Sequence, residues 1–330
     1  MTKVEAARQE YADWCSAIGV DTIEKLNETL ESGHAVELIN LCEARQERNY
    51  AAAADQIAWC RRKCRIVMMS GPSSSGKTSS SLRIAQQARV LGLNPKVIEL
   101  DNYFLDREQT PKDENGEYDF EALEAMDVAF LNQQLSALLA GEEVELPKFD
   151  FAAGKRVPSG KRLSLGENDI LFMEGIHALN PALTPEIPQD SIYHIYISAL
   201  SSLPGGEKVH GSTTDKRLLR RIVRDNRTRG ISPEANILRW PSVRRGETKY
   251  IFPYEENANL VFNTSTLFDL PLLRYYAEPL LCGISISSPA YEKAVQLLKF
   301  ARMATCLKPE EIAAIPPTSI MREFIGGQTL

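Results

Sequence analysis

A single glycine-rich stretch, residues 71–78, constrains this chain more than any other feature of its sequence. It reads Gly-Pro-Ser-Ser-Ser-Gly-Lys-Thr and fits the pattern G-x-x-x-x-G-K-[ST] of a phosphate-binding loop. The apolar residues before it predict a buried strand, and residues 79–91 predict a helix, which is the context that the pattern requires. The sequence therefore predicts a loop that binds a nucleoside triphosphate, against the alternative of a chance serine-rich turn.

The residue types of the loop each have a physical role. Glycines allow backbone conformations that a side chain would block, and N–H groups at a helix N-terminus cradle phosphate oxygens. Lys77 adds a positive charge for the β- and γ-phosphates, and the hydroxyl of Thr78 is suited to Mg²⁺. The residues predicted to bind the nucleotide are Gly71, Ser73, Ser74, Ser75, Gly76, Lys77, Thr78 and Ser79.

From residue 65 onward, short apolar runs alternate with helical patterns, which predicts an α/β fold whose mainly parallel sheet is flanked by helices. The predicted strands are 65–70, 96–100, 169–174, 193–197 and 260–263, and the predicted helices are 78–91, 120–140, 214–229 and 290–305. Residues 105–118 and 147–166 are expected to be loops over the strand ends, where ligands bind.

Residues 1–64 are predicted to form an accessory helical segment without visible chemistry, packed on the main domain or bridging to something absent. Its candidate helices are 6–18, 22–32 and 37–64. The main domain is expected to span 65–330, with an arginine-rich lid at about 200–250 and a C-terminal helix and tail at 285–330.

Composition excludes several classes of protein. A net charge of −6 over 330 residues gives no basic field for nucleic acid, so a nucleic-acid partner is not expected. No apolar run approaches the ~20 residues that span a bilayer, and the first residues lack a signal-peptide core, so we expect a cytoplasmic protein without membrane contact. The sequence does not determine whether the chain forms a homo-oligomer.

Two carboxylates follow predicted strands. Asp101 comes after the second strand and is a candidate general base, a Mg²⁺ anchor, or both, with a helix N-cap as the alternative. Glu174 ends an apolar run and is predicted to hold Mg²⁺, directly or through water. His177, three residues farther on, is interpreted as structural because no partner can be assigned to it.

Six arginines lie within residues 217–229, and four of them recur at three- and four-residue spacing. One face of this helix is therefore expected to be strongly basic. We interpret it as a lid that brings cations over the triphosphate, with Arg221, Arg224 and Arg229 as catalytic candidates. The alternatives are a solvated charged face and a nucleic-acid stripe.

These motifs, in this order, resemble the uridine kinase/phosphoribulokinase family of P-loop kinases. The resembling segments are 101–104, which aligns with that family's catalytic-aspartate element, and 119–127, 147–151, 174–176 and 220–230. The chain is more similar still to a subgroup of uridine kinase-like nucleoside kinases, through residues 71–78, 174–180 and the Arg-Glu-Phe-Ile-Gly-Gly run at 322–327. Many of these have an N-terminal extension similar to threonyl-tRNA synthetase accessory domains, and residues 1–64 resemble only its end.

The resemblance implies ATP as donor with Mg²⁺, and an acceptor site formed by Asp101, Tyr103, Glu121, Phe149 and Arg156. In that site this chain departs from the uridine–cytidine kinases. Phe149 replaces a base-contacting tyrosine, Gly154 a histidine, and Glu121 a ribose-binding aspartate, while Ile231 replaces the last lid arginine. A pyrimidine would lose hydrogen-bond partners, so the acceptor need not be uridine.

The sequence thus predicts Mg²⁺-dependent phosphoryl transfer from ATP to a hydroxyl of a small polar acceptor, with the 5′-hydroxyl of a nucleoside favoured. Lys77, Asp101, Arg221, Arg224 and Arg229 are the catalytic candidates, and Thr78, Glu174 and Asp101 the metal-binding ones. Two alternatives stay open: a sugar or sugar-phosphate kinase, and an ATPase or RNA-associated regulator without a small acceptor.

Overall fold

The computed structural model describes residues 1–112, 116–150, 152–200 and 213–330. Its strands are β1 (Ile66–Ser70), β2 (Asn94–Glu99), β3 (Val144–Asp150), β4 (Lys155–Leu163), β5 (Asp169–Glu174), β6 (Ile192–Ser198) and β7 (Leu260–Asn263). Its helices are α1 (Lys3–Ala17), α2 (Ile23–Glu31), α3 (Ala35–Cys60), α4 (Lys77–Val90), α5 (Val128–Leu139), α6 (Thr213–Arg229), α7 (Pro233–Tyr250), α8 (Asp269–Cys282), α9 (Tyr291–Ala301), α10 (Pro309–Ala313) and α11 (Arg322–Ile325).

The predicted α/β fold is confirmed by a sheet of five strands in the order β2-β5-β1-β6-β7. All of its pairings are parallel. The central strand β1 is buried along its whole length, as its continuous apolar run predicts. The five predicted sheet strands are all present, with ends that differ by no more than two residues.

The expected loop at 147–166 is wrong, because most of it forms the antiparallel hairpin β3–β4 outside the main sheet. Two prolines, Pro147 and Pro158, lie opposite each other and mask the strand pattern in the sequence. The turn between the strands is held by the Asp150 carboxylate, which accepts from the backbone N–H groups of Ala152 and Ala153. Phe151, part of the motif at 147–151, lies outside the described residues.

The helix predicted at 120–140 begins later, at Val128. The side chain of Asp127 accepts a hydrogen bond of 3.0 Å from the N–H of Phe130, which caps the helix N-terminus. The residues before Asp127 form turns and a short 3₁₀ segment, Leu123–Ala125, and are thereby free to line the site described below.

The three N-terminal helices pack on the sheet domain. Tyr50 and Ile57 of α3 share a buried cluster with Val67 of β1 and Ile84 of α4, and Tyr50 stacks on Phe262 at 5.0 Å between ring centroids. A second cluster joins α1 and α2 to the C-terminal helices. The domain boundary at residue 64 stays a prediction. Within the described residues, none of the helices is long and apolar enough to cross a membrane.

Helix α6 carries buried charges rather than one solvated basic face. Lys216 and Arg220 both contact the carboxylate of Asp269 on α8, at 2.9 and 2.7 Å, and all three side chains are essentially buried. Burial disfavours the ionised carboxylate, but Arg220 and Lys216 outweigh it and hold the pKa of Asp269 below its ordinary value. The predicted lid helix is thus anchored in the core by its first half, and residues 201–212 of the predicted lid lie outside the described residues.

We expect Asp269→Ala to lower the free energy of unfolding by about 3–5 kcal/mol, because it leaves two buried cations without their carboxylate. Urea unfolding followed by circular dichroism measures the change. Glu143→Ala is the matched control: it breaks an exposed pair with Arg162 and should cost less than about 1 kcal/mol. Equal losses in the two variants would contradict the importance of the buried cluster.

Candidate active site

The glycine-rich loop connects β1 to α4, in the strand–loop–helix context that the sequence predicts. A Cβ atom at Gly71 would lie 1.9 Å from the carbonyl oxygen of Ile197, so no side chain fits there. Gly76 has a φ of +88°, and a Cβ on it would lie 2.4 Å from Cδ1 of Ile320. Gly71 is therefore required by the close approach of a backbone carbonyl, and Gly76 by its left-handed backbone.

The two functional side chains at the end of the loop face different partners. Lys77 donates from Nζ to the carbonyl of Gly71 at 2.9 Å. Thr78 donates from Oγ1 to Oε1 of Glu174 at 2.7 Å. A hydroxyl and a carboxylate are hard oxygen ligands, and Mg²⁺ typically uses one or two carboxylates together with substrate phosphates. The residues present therefore fit a magnesium ion that is completed by a bound triphosphate.

The strand order explains why Asp101 reaches the same place. β5 lies between β1 and β2, so the carboxyl ends of these three strands present the loop, Glu174 and Asp101 side by side. Asp101 lies in the short 3₁₀ helix that follows β2. Although part of its carboxylate is open to solvent, the cleft walls exclude much of the surrounding water. This loss of water and the charge of Glu174 raise the pKa of Asp101 to about 6, while Lys77 opposes the shift.

Glu174 and Glu121 complete a set of perturbed carboxylates. Loss of water raises the pKa of Glu174 above its ordinary value, although Lys77 and the hydrogen bond from Thr78 oppose the shift. Loss of water also raises the pKa of Glu121, and the positive charges of Lys77 and Arg221 oppose that shift. Perturbed acidic groups gathered in one cleft around a lysine are typical of an active site.

Of the three predicted catalytic arginines, Arg221 contacts the loop. Its Nη1 donates to Oγ of Ser73 at 2.8 Å. Arg221 also lies 3.4 Å from the buried carboxylate of Asp225. Arg224 and Arg229 pair with the same carboxylate, at 2.8 and 3.6 Å, and the side chain of Arg229 is 55% exposed. Their predicted contact with a transferring phosphoryl group would need them to leave this partner.

A contact that the sequence analysis missed ties the loop to helices α6 and α7. Glu247 accepts from the backbone N–H of Ser73 at 2.9 Å and forms a buried ion pair with Arg217. Arg244 donates to the same carboxylate at 2.7 Å. The N–H of Ser73 thus points to the side chain of Glu247, whereas the sequence predicts that the N–H groups of the loop point inward to the phosphates. No sequence signal marks this contact, because its partners are separated by long stretches of chain.

A cavity of about 260 Å³ is lined by one residue of the predicted acceptor site, Phe149. Its lining residues are Phe104, Arg107, Phe120 and Phe149. Gly154 makes this arrangement possible, since a Cβ on it would lie 2.7 Å from Nε of Arg107. The position at which the sequence departs from the uridine–cytidine kinases thus gives room to an arginine that the sequence analysis did not single out.

Two residues predicted to bind the acceptor face elsewhere. Tyr103 is fully buried and donates its hydroxyl to Gln134 at 2.9 Å, which argues against the predicted contact with a substrate. Arg156 pairs with Asp127 at 2.8 Å and lies over the ring of Phe130. His177 is fully buried at 5.6 Å from the ring of Tyr250, and burial lowers its pKa to about 4, which agrees with a neutral structural role.

Comparisons with known proteins show that the sequence is similar to those of small-molecule kinases. Residues 66–197 match the model of the phosphoribulokinase/uridine kinase family. A uridine kinase of Halobacterium salinarum is 26% identical over 194 residues, which are 58% of this chain and 77% of that protein. A uridine kinase of Chloroflexus aggregans is 29% identical over 199 residues, 60% of this chain and 85% of that protein.

A solved protein from Bacillus stearothermophilus, described as a possible uridine kinase, superposes with a TM-score of 0.39 at 17% identity, over 64% of this chain and 98% of its own. The family match and the curated relatives confirm the resemblance seen in the motifs. The family model and the curated relatives together support a P-loop kinase of small substrates that is similar to the uridine kinases.

We expect Gly71→Ala to abolish nucleotide binding, because its Cβ would overlap the carbonyl of Ile197 and displace the loop. The rise in melting temperature on adding ATP and Mg²⁺ measures binding. Gly283→Ala is the matched control, since the nearest atom to its Cβ is 3.5 Å away. A full ATP-dependent shift in Gly71→Ala would show that the loop tolerates a side chain.

Proposed function

We propose that this kinase transfers the γ-phosphoryl group of ATP to a hydroxyl of a small polar acceptor, with the 5′-hydroxyl of a nucleoside favoured. One observation carries the proposal: the loop, Glu174 and Asp101 lie at the carboxyl ends of three neighbouring strands, and a cavity lined by three phenylalanines includes Phe104, three residues after Asp101. Aromatic walls bind the flat face of a nucleobase by stacking, and they offer less to a sugar.

In this proposal each residue of the cleft has a distinct task. Asp101 accepts the proton of the acceptor hydroxyl as general base. The loop and Lys77 hold the phosphates, while Thr78 and Glu174 hold Mg²⁺. ATP would supply the phosphoryl group, and Mg²⁺ would partly neutralise its negative charge. Arg221 is the cation best placed to stabilise the remaining negative charge, because it already reaches Ser73.

The acceptor half of the site lacks the tyrosine and the histidine with which uridine–cytidine kinases bind a pyrimidine. We therefore expect it to recognise the acceptor through other groups. Arg107 supplies N–H donors and no acceptor, so the far edge of the ring should carry carbonyl oxygens or ring nitrogens rather than amino groups. Glu121 would accept from hydroxyls of the sugar, in the role that the family gives to an aspartate. The same arginine also fits the phosphate of a sugar-phosphate acceptor, which is the second candidate function.

We expect ADP release by the wild-type protein to be stimulated by a nucleoside and much less by sugars or sugar phosphates. A coupled ADP assay with a panel of both classes measures this. Asp101→Asn should lower turnover by about 10²–10⁴-fold and leave ATP binding nearly unchanged, because only the base is lost. Stimulation by sugar phosphates alone would favour the second candidate, and full turnover in Asp101→Asn would exclude Asp101 as the base.

The pKa of Asp101 predicts an acid limb in the rate profile. A general base works only when ionised, and this carboxylate has a pKa of about 6 in the free protein. At ATP concentrations well below saturation, we therefore expect kcat/KM for the acceptor to fall as the pH falls through about 6, and to be level above it. Measuring kcat/KM from pH 5 to 8 tests this, and a level profile down to pH 5 would contradict it.

A further inference from the structure

The two sides of the glycine-rich loop face different parts of the sheet. Thr78 is directed to Glu174 at the end of β5, on the side where Asp101 lies. The carbonyl of Ser75 is directed the other way and accepts from Oγ1 of Thr264, just after β7, at 2.6 Å. The loop thus lies between the end of β5, where Glu174 is, and the residues after β7.

The C-terminal segment, residues 320–328, covers the loop on that second side. Ile320 packs against Gly76. Ser79, one residue beyond Thr78, donates its hydroxyl to Oε2 of Glu323 at 2.5 Å and accepts from Nε2 of Gln328 at 2.8 Å. Both contacts of this predicted nucleotide-binding serine are thus made by the segment.

The segment is held in place by helix α6 and by its own glycines. Arg227 donates to the carbonyls of Phe324 and Glu323, at 3.3 and 3.1 Å. Gly326 and Gly327 have φ values of +95° and +78°, which turn the chain back so that Gln328 reaches Ser79. The structure thus explains two features of the Arg-Glu-Phe-Ile-Gly-Gly run: its carbonyls bind Arg227, and its two glycines make the turn.

We infer that residues 320–328 complete the donor-nucleotide site and that Glu323 recognises the ribose hydroxyls of the donor. The inference rests on the proposed use of ATP. The carboxylate of Glu323 only accepts hydrogen bonds when it is ionised, and the donor groups nearest to an α-phosphate at Ser79 are the ribose hydroxyls. Arg224, 3.9 Å from Oε1 of Glu323, offsets the repulsion between this carboxylate and the phosphates.

The test measures nucleotide binding without any acceptor. Titration calorimetry in the presence of Mg²⁺ gives the affinities of the wild-type protein for ATP and for 2′-deoxy-ATP. Glu323→Ala should bind ATP about tenfold more weakly, the loss of one hydrogen bond to a charged group, and its ratio of ATP to 2′-deoxy-ATP affinity should approach one. Glu323→Gln keeps a side chain near Ser79 and should also lose discrimination.

Glu310→Ala is the matched control, because Glu310 is an exposed carboxylate of the same C-terminal region and should leave both affinities unchanged. Melting temperatures establish that each variant is folded. Unchanged ATP affinity in folded Glu323→Ala would overturn the inference, and tighter binding would show that Glu323 competes with the nucleotide instead. If no acceptor supports transfer but the binding changes occur, the proposed kinase reaction fails and the donor-site inference stands.

Discussion

The parallel pairing of β1 between β5 and β6 is the constraint on which the site depends. Parallel strands present all their carboxyl ends at one edge of the sheet. The pairing of the strands alone therefore brings together residues that are far apart in the sequence. The loop after β1, Glu174 after β5 and Asp101 after β2 are brought together in this way. Burial is the main reason why the pKa values of both carboxylates are raised, and Glu174 adds to the shift at Asp101, whereas Lys77 of the loop opposes both shifts.

Buried charge on helix α6 sets a second constraint. Arg217 and Arg220 lie in the core and pair with Glu247 and Asp269, so the first turns of the helix are fixed against the loop and against α8. Burying such pairs is costly unless every charge is matched, which ties the position of the helix to both partners. Farther along the helix, Arg224 and Arg229 contact the buried Asp225, and the side chain of Arg229 is largely exposed.

Much of the fold could be predicted from the sequence, and the failures have identifiable causes. The apolar runs of the sheet strands and the glycine loop are local signals, and the motif order located Asp101 and Glu174. The β3–β4 hairpin was missed because prolines and basic residues replace the usual alternation. Arg217 and Arg220 look like any surface arginine, since their partners lie 30 and 49 residues away. The same holds for Glu323, which is 244 residues from Ser79.

The packing of α3 against α4 and the sheet bears on how one face of the sheet is covered. Helix α3 supplies one wall of the apolar cluster behind β1, the strand that carries the loop, through Tyr50, Ala53, Ala54 and Ile57. The cluster crosses the boundary predicted at residue 64, whereas the apolar cluster on the other face of the sheet contains only residues after it. The N-terminal helices therefore cover one face of the sheet, and loss of α3 would expose the apolar side of the strand that carries the loop.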